Sequence, residues 1–130
     1  MGKTWFEEEA ARKPRESGFW ETFSRWPLND DWAMTLYGYF MHGLSPGSFL
    51  RAVIANDLAW AAERSHPSNN WTEIANMAKW LRHNAPAGSA GSFENVDAWL
   101  ALSEEERDKI LNELGWKLTD KQLSWKLVSE

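Results

Sequence analysis

The histidines His42, His66 and His83 and the carboxylate of Asp57 are the side chains that first invite a catalytic or metal-binding reading. No two histidines have the spacing of a zinc site, and no His-Glu-x-x-His occurs. His42 and His83 fall near the expected C-terminal ends of helices, where a partial positive charge complements the dipole. A structural or surface role is expected for them. Asp57 lies three residues after Ile54, four after Val53 and four before Ala61. In a helix that spacing sets a carboxylate on or beside the apolar face, where burial without a partner would be costly. It predicts a donor for Asp57: an indole N–H, a helix start or an arginine. With Asn56 beside it, Asp57 is the candidate ligand-binding residue of any helix-lined pocket.

Other chemistry is excluded more directly. Gly88 and Gly91 lie in a small-residue loop that lacks the Lys-Ser/Thr end of a phosphate loop. No Gly-x-Ser-x-Gly elbow is present. With 0 cysteines, disulfides, thiolate metal sites and cysteine nucleophiles are ruled out. No catalytic set is recognisable, so neither enzyme activity, cofactor nor metal is expected.

Contact chemistry is better represented. Ten of the 130 residues are tryptophan: Trp5, Trp20, Trp26, Trp32, Trp60, Trp71, Trp80, Trp99, Trp116 and Trp125. Each ring can hide roughly 150–250 Å², so the set could hide on the order of 2,000 Å². A small interior has few places for so much indole, and rings left at the surface anchor partners. Trp5, Trp116 and Trp125 lie in weakly anchored terminal segments, which makes them the candidate partner-binding residues.

The elements that must position these groups read as helices almost throughout. Residues 4–12 form a short helix with Thr4 and Glu7 spaced as a capping box, and residues 18–26 form a second one capped by Ser17. Asn29 or Asp30 caps a helix over 31–42 that ends at Gly43. Ser45-Pro46 reads as the start of a central helix reaching Arg64, with a broad face of Phe49, Leu50, Val53, Ile54, Leu58 and Ala61. His66-Pro67-Ser68-Asn69 is a turn and Asn70 starts a helix over 71–83. Residues 84–92 are a loop rich in small residues. Ser92 caps a helix over 93–101, and Ser103 with Glu106 caps another that ends at Gly115. The last segment has two readings. One is a helix capped by Thr119 and Gln122. The other is a hairpin turning at Asp120-Lys121, a poor pair for two positive-φ positions, so the helix is preferred. The pattern predicts one all-α domain of six or seven helices: a helical extension over 1–27, a core over 28–115 and a C-terminal segment over 116–130.

Charge narrows the partners. The formal net charge is −5, with 14 basic and 19 acidic residues spread evenly. That disfavours duplex DNA, whose binding rests on clustered Lys and Arg. Residues 103–114 and 119–128 around Gly115-Trp116-Lys117 have a helix-turn-helix look. The second helix, however, offers only Lys121 and Lys126 against Asp120 and Glu130, and nucleic-acid binding stays a secondary alternative. No apolar run suits a bilayer span. The N-terminal residues lack the apolar stretch of a secretory leader, so Asn70-Trp71-Thr72 is read as a helix start rather than a glycosylation sequon, and a cytoplasmic protein is expected.

The middle of the chain resembles short accessory proteins of bacteriophages and prophages. The resemblance rests on Gly43-Leu44-Ser45-Pro46-Gly47-Ser48-Phe49-Leu50, Ala52-Val53 and Asn56-Asp57-Leu58. It continues through Trp80, Asn84-Ala85-Pro86 and Gly91-Ser92-Phe93-Glu94 to Trp99, and covers roughly residues 36–100. It implies a small protein made inside an infected bacterial cell that binds a bacterial host or defence protein. Combined with the indole surplus, it predicts a non-enzymatic protein-binding module acting as an inhibitor. The rival reading is a small-ligand-binding protein or small enzyme using Asp57 and Asn56.

Overall fold

A computed structural model describes residues 4–64 and 71–129. The expected turn at 66–69, His66 and the Asn70 helix start lie outside the described residues. The described helices are α1 (Trp5–Arg12), α2 (Ser17–Glu21), α3 (Asp30–His42), α4 (Ser48–Ile54), α5 (Leu58–Arg64), α6 (Trp71–Asn84), α7 (Phe93–Ala101), α8 (Glu104–Glu113) and α9 (Asp120–Ser129). Single 3-10 turns flank α2 at Pro14–Glu16 and Thr22–Ser24. No strand occurs among the described residues, as the all-α pattern requires.

Local chemistry sets most of the helix starts. Asn29 Oδ1 accepts the Trp32 N–H at 2.8 Å, and Ser92 Oγ accepts that of Asn95 at 3.0 Å. Ser103 and Glu106 exchange bonds of 3.1 and 3.2 Å across the first turn of α8. The backbone N–H and hydroxyl of Ser103 hold the Glu106 carboxyl below its ordinary range. Thr119 and Gln122 make the same reciprocal pair at 2.9 and 3.2 Å, so the last segment is α9 and the alternative hairpin does not form. Gly43 closes α3 in the left-handed region at φ 66°.

The long helix expected over 46–64 is two helices. Residues 43–47 stay outside helical structure, and α4 begins only at Ser48 with Gly47 as its cap, so the Ser45-Pro46 start is not used. The chain breaks again at 55–57, where Asn56 takes a left-handed φ of 61°. Asparagine tolerates that region better than most side chains. The apolar spacing runs on across the break, which is why periodicity alone reads it as one helix.

The core is aromatic. Phe19, Trp20, Phe23, Phe40, Trp80 and Trp99 are buried, and Trp80 sits in their midst. Its ring stacks on Phe23 at 5.1 Å and meets Phe40 at 5.5 Å, Trp116 at 5.9 Å and Phe19 at 6.0 Å. Its indole N–H donates to Thr22 Oγ1 at 2.8 Å, and that of Trp99 donates to the Tyr39 carbonyl at 2.9 Å. Three of the central rings come from residues 1–27, the segment read as an extension.

The C-terminal segment closes this core through a backbone contact. A Cβ built on Gly18 would lie 2.0 Å from the Gly115 carbonyl oxygen. Only glycine lets α2 and residues 115–116 approach this closely. The Leu118 N–H donates to the Arg15 carbonyl at 2.9 Å, and Arg15 Nη1 donates to the Leu118 carbonyl at 2.8 Å. Arg15 also pairs with Asp120 at the start of α9.

Candidate functional site

The ten indoles divide into three groups. Trp20, Trp80, Trp99 and Trp116 are buried; Trp5, Trp26 and Trp32 are half-buried; Trp60, Trp71 and Trp125 are exposed. The three candidate contact residues therefore part company. Trp116, expected at the surface, is only 5 % exposed. The close approach at Gly18 seats its ring against Phe19 at 5.2 Å and Phe40 at 5.8 Å. Trp5 is a core cover rather than a free anchor, set edge-on to Trp20 at 5.5 Å. Trp125 alone of the three stands at the surface, 69 % exposed.

Its helix explains why. α9 turns Leu123 and Lys126 toward the body, where Lys126 Nζ donates to the buried Ser17 hydroxyl. At 100° per residue, Lys121, Trp125 and Val128 then share the opposite face. Val128 is 84 % exposed, and the Lys121 ammonium lies 5.8 Å from the Trp125 ring centroid. Leu127, 54 % exposed, adds to the apolar surface at this end. With Lys126 committed inward, α9 has little left for a phosphate backbone, and the helix-turn-helix reading loses one of its two cations.

Asp57 has a local task. Its Oδ1 accepts the Trp60 N–H at 3.0 Å, so it caps α5 at the break in the expected central helix. Of the donors considered for it, the helix start is the one it meets. Asp57→Ala is expected to lower the unfolding free energy by about 1 kcal/mol, whereas Asp57→Asn, which keeps the accepting oxygen, should change it by only a few tenths. Urea titration of both variants checks this. A loss for Asn as large as that for Ala would show that the carboxylate charge, and not the accepting oxygen alone, has a role.

Asn56, its neighbour, faces a cleft of about 540 Å³ between α4, α6 and the 85–91 loop. Val53, Ile54, Leu81 and Pro86 supply apolar wall, and Lys79 and Arg82 of α6 supply charge. Asp57 does not line it. Sequence reasoning missed the two cations, which look like an ordinary solvated helix face. Their three-residue spacing beside a loop rich in small residues was the available signal. That loop is held rather than loose. Tyr39 donates its hydroxyl to the Ser89 carbonyl at 2.7 Å, Asn95 Nδ2 donates to the Ala90 carbonyl at 2.8 Å, and the Gly91 N–H donates to the Ile54 carbonyl at 2.8 Å. Burial pushes the Tyr39 phenol well above its ordinary range, which keeps it protonated as a donor.

The described histidines carry no ligand cluster. His83 stacks on Trp26 at 4.7 Å, with the Arg25 guanidinium 4.7 Å from the same indole. His42 sits edge-on to Tyr37 at 5.0 Å. Among the described residues, no three His, Asp or Glu side chains gather to hold a metal ion, and no helix is long and apolar enough to cross a membrane.

Fold and surface together define a small all-α protein with a tryptophan-rich core and an indole displayed on its last helix. Comparisons with protein-family models, with curated proteins and with solved structures find no match for this chain.

Proposed function

We propose that this chain is a non-enzymatic protein-binding module whose contact surface is the outward face of α9, and that it acts in the bacterial cytoplasm as a phage-encoded inhibitor of a bacterial host or defence protein. The observation that carries the binding reading is Trp125, 69 % exposed beside Val128 and Leu127 on a helix docked by its other side. An exposed indole with aliphatic neighbours supplies what interface hot spots use most: large rigid apolar area. The rigid attachment of α9 through Arg15, Leu118 and Lys126 presents that ring without an ordering cost. The phage resemblance of residues 36–100 supplies the cellular setting and the class of partner.

Photo-crosslinking tests this reading. A benzophenone side chain placed at Val128 is expected to capture a bacterial protein from a host lysate, and excess wild-type protein should compete it away. Trp125→Ser protein should compete at least about thirtyfold less well, the ratio for a hot spot of about 2 kcal/mol. Its denaturation midpoint should stay within about 0.5 kcal/mol of wild type, as for other surface substitutions. Equal competition by wild type and variant would remove α9 as the contact surface.

A further inference from the structure

We propose that the cleft between α4, α6 and the 85–91 loop binds a small organic anion with a compact apolar body, and that Lys79 and Arg82 hold its charged end. The chain is acidic, at −5, yet among the described residues this cleft is lined by two cations and by no carboxylate. The ion pairs among the described residues are Arg12–Glu9, Arg15–Asp120, Arg51–Asp97 and Lys117–Asp108, and among these residues neither Lys79 nor Arg82 has an acidic partner. Arg82 lies in the last turn of α6, where it also complements the helix dipole. Lys79, a turn earlier, has no such partner and shares with Arg82 the face that meets the cleft.

The walls suit a preformed site. A volume of about 540 Å³ falls in the range of small-molecule pockets, which pair apolar walls with a few convergent polar groups. Val53, Leu81 and Pro86 would cover an apolar body. Asn56 adds an amide from a left-handed position at φ 61°. That turn is fixed by the Asn56 N–H to the Val53 carbonyl at 3.0 Å and the Asp57 N–H to the Ala52 carbonyl at 2.9 Å. Backbone held in a sparsely populated region by surrounding bonds concentrates at ligand sites. The facing loop is tied to the core through Ser89, which is 0 % exposed and whose carbonyl takes the Tyr39 hydroxyl. A ligand would therefore meet both walls already in place, and binding would require little ordering.

The anionic head could be a carboxylate or a phosphate monoester, and the test separates them. The full-length protein, labelled with nitrogen-15, is titrated with 4-methylbenzoate, phenyl phosphate, inorganic phosphate and the neutral 4-methylbenzamide. At least one of the two organic anions should shift the Asn56, Gly88 and Gly91 amides at millimolar concentration, and the tighter of them identifies the head group. The neutral amide and inorganic phosphate should each bind at least about tenfold more weakly, a loss of about 1.4 kcal/mol. Lys79→Gln/Arg82→Gln should weaken the organic anion about tenfold or more while lowering the melting temperature by no more than about 5 °C, the loss of one exposed charge at the end of α6. Trp125→Ser should leave this binding untouched. Equal binding of the neutral amide, retention of affinity in the double variant, or no shift at the cleft with any probe would overturn the proposal.

Discussion

Gly18→Ala is expected to destabilise the protein by about 3 kcal/mol or more, the upper end of what overpacking does in a close-packed interior. The added methyl would stand 2.0 Å from the Gly115 oxygen, 3.0 Å from its carbonyl carbon and 3.3 Å from the Trp116 Cα. All three are backbone atoms, so no side chain can swing aside. The 115–118 segment has to lift away from α2. That movement unseats Trp116 from Phe19 and breaks the paired bonds between Arg15 and Leu118. Urea unfolding should show a lower midpoint, and tryptophan emission of the folded state should move to the red as the Trp116 ring meets water. Gly47→Ala is the control: its Cβ meets nothing within 4 Å, and its effect should stay within about 1 kcal/mol. Comparable midpoints for the two variants would mean that the α2–Gly115 approach is not a packing constraint.

Trp80→Ala should cost about 3–5 kcal/mol, the range for emptying a buried aromatic site. The ring is 0 % exposed and bridges the N-terminal rings Phe19 and Phe23 to Phe40 and Trp116. Its removal leaves a cavity whose walls come from three separate segments, so no single side-chain movement can fill it. Thr22 Oγ1 also loses its indole donor, though its own bond to the Phe19 carbonyl at 2.6 Å remains. Set against a total of about 5–15 kcal/mol for a domain of this size, the loss approaches the limit of folding. Trp80→Phe keeps a ring stacked on Phe23 and should lose only about half as much. Denaturant titrations of both variants check the order. A Trp80→Ala loss below about 1 kcal/mol would show that the aromatic centre is not what holds the segments together.

Signals carried within four residues were readable from sequence. The pairs Ser103–Glu106 and Thr119–Gln122 and the caps Asn29 and Ser92 all form, because a cap is a contact between near neighbours. What escaped depends on contacts between distant segments. Trp116 looked exposed because it follows Gly115 near the end of the chain. The space that receives it is made by Gly18 on α2. The 84–92 stretch has the composition of a loose loop, yet Tyr39 and Asn95 hold it in place. Asn56-Asp57 was read as helix interior because Val53, Ile54, Leu58 and Ala61 keep helical spacing through it. The pair is a break and a new start, and an Asx residue before a helix-length apolar run is the local cue that competed with periodicity. The surplus of indole was legible as a number, but not its division. Only the burial of each ring separates the four that build the core from Trp125, which does not.

The direct test of the docking account is the affinity of wild-type and Trp125→Ser protein for the partner captured through position 128, with the urea midpoints of both proteins measured in the same buffer. The account predicts a dissociation constant raised about thirtyfold by the substitution at an unchanged midpoint. Equal dissociation constants, or a loss of affinity matched by a loss of folding, would contradict it.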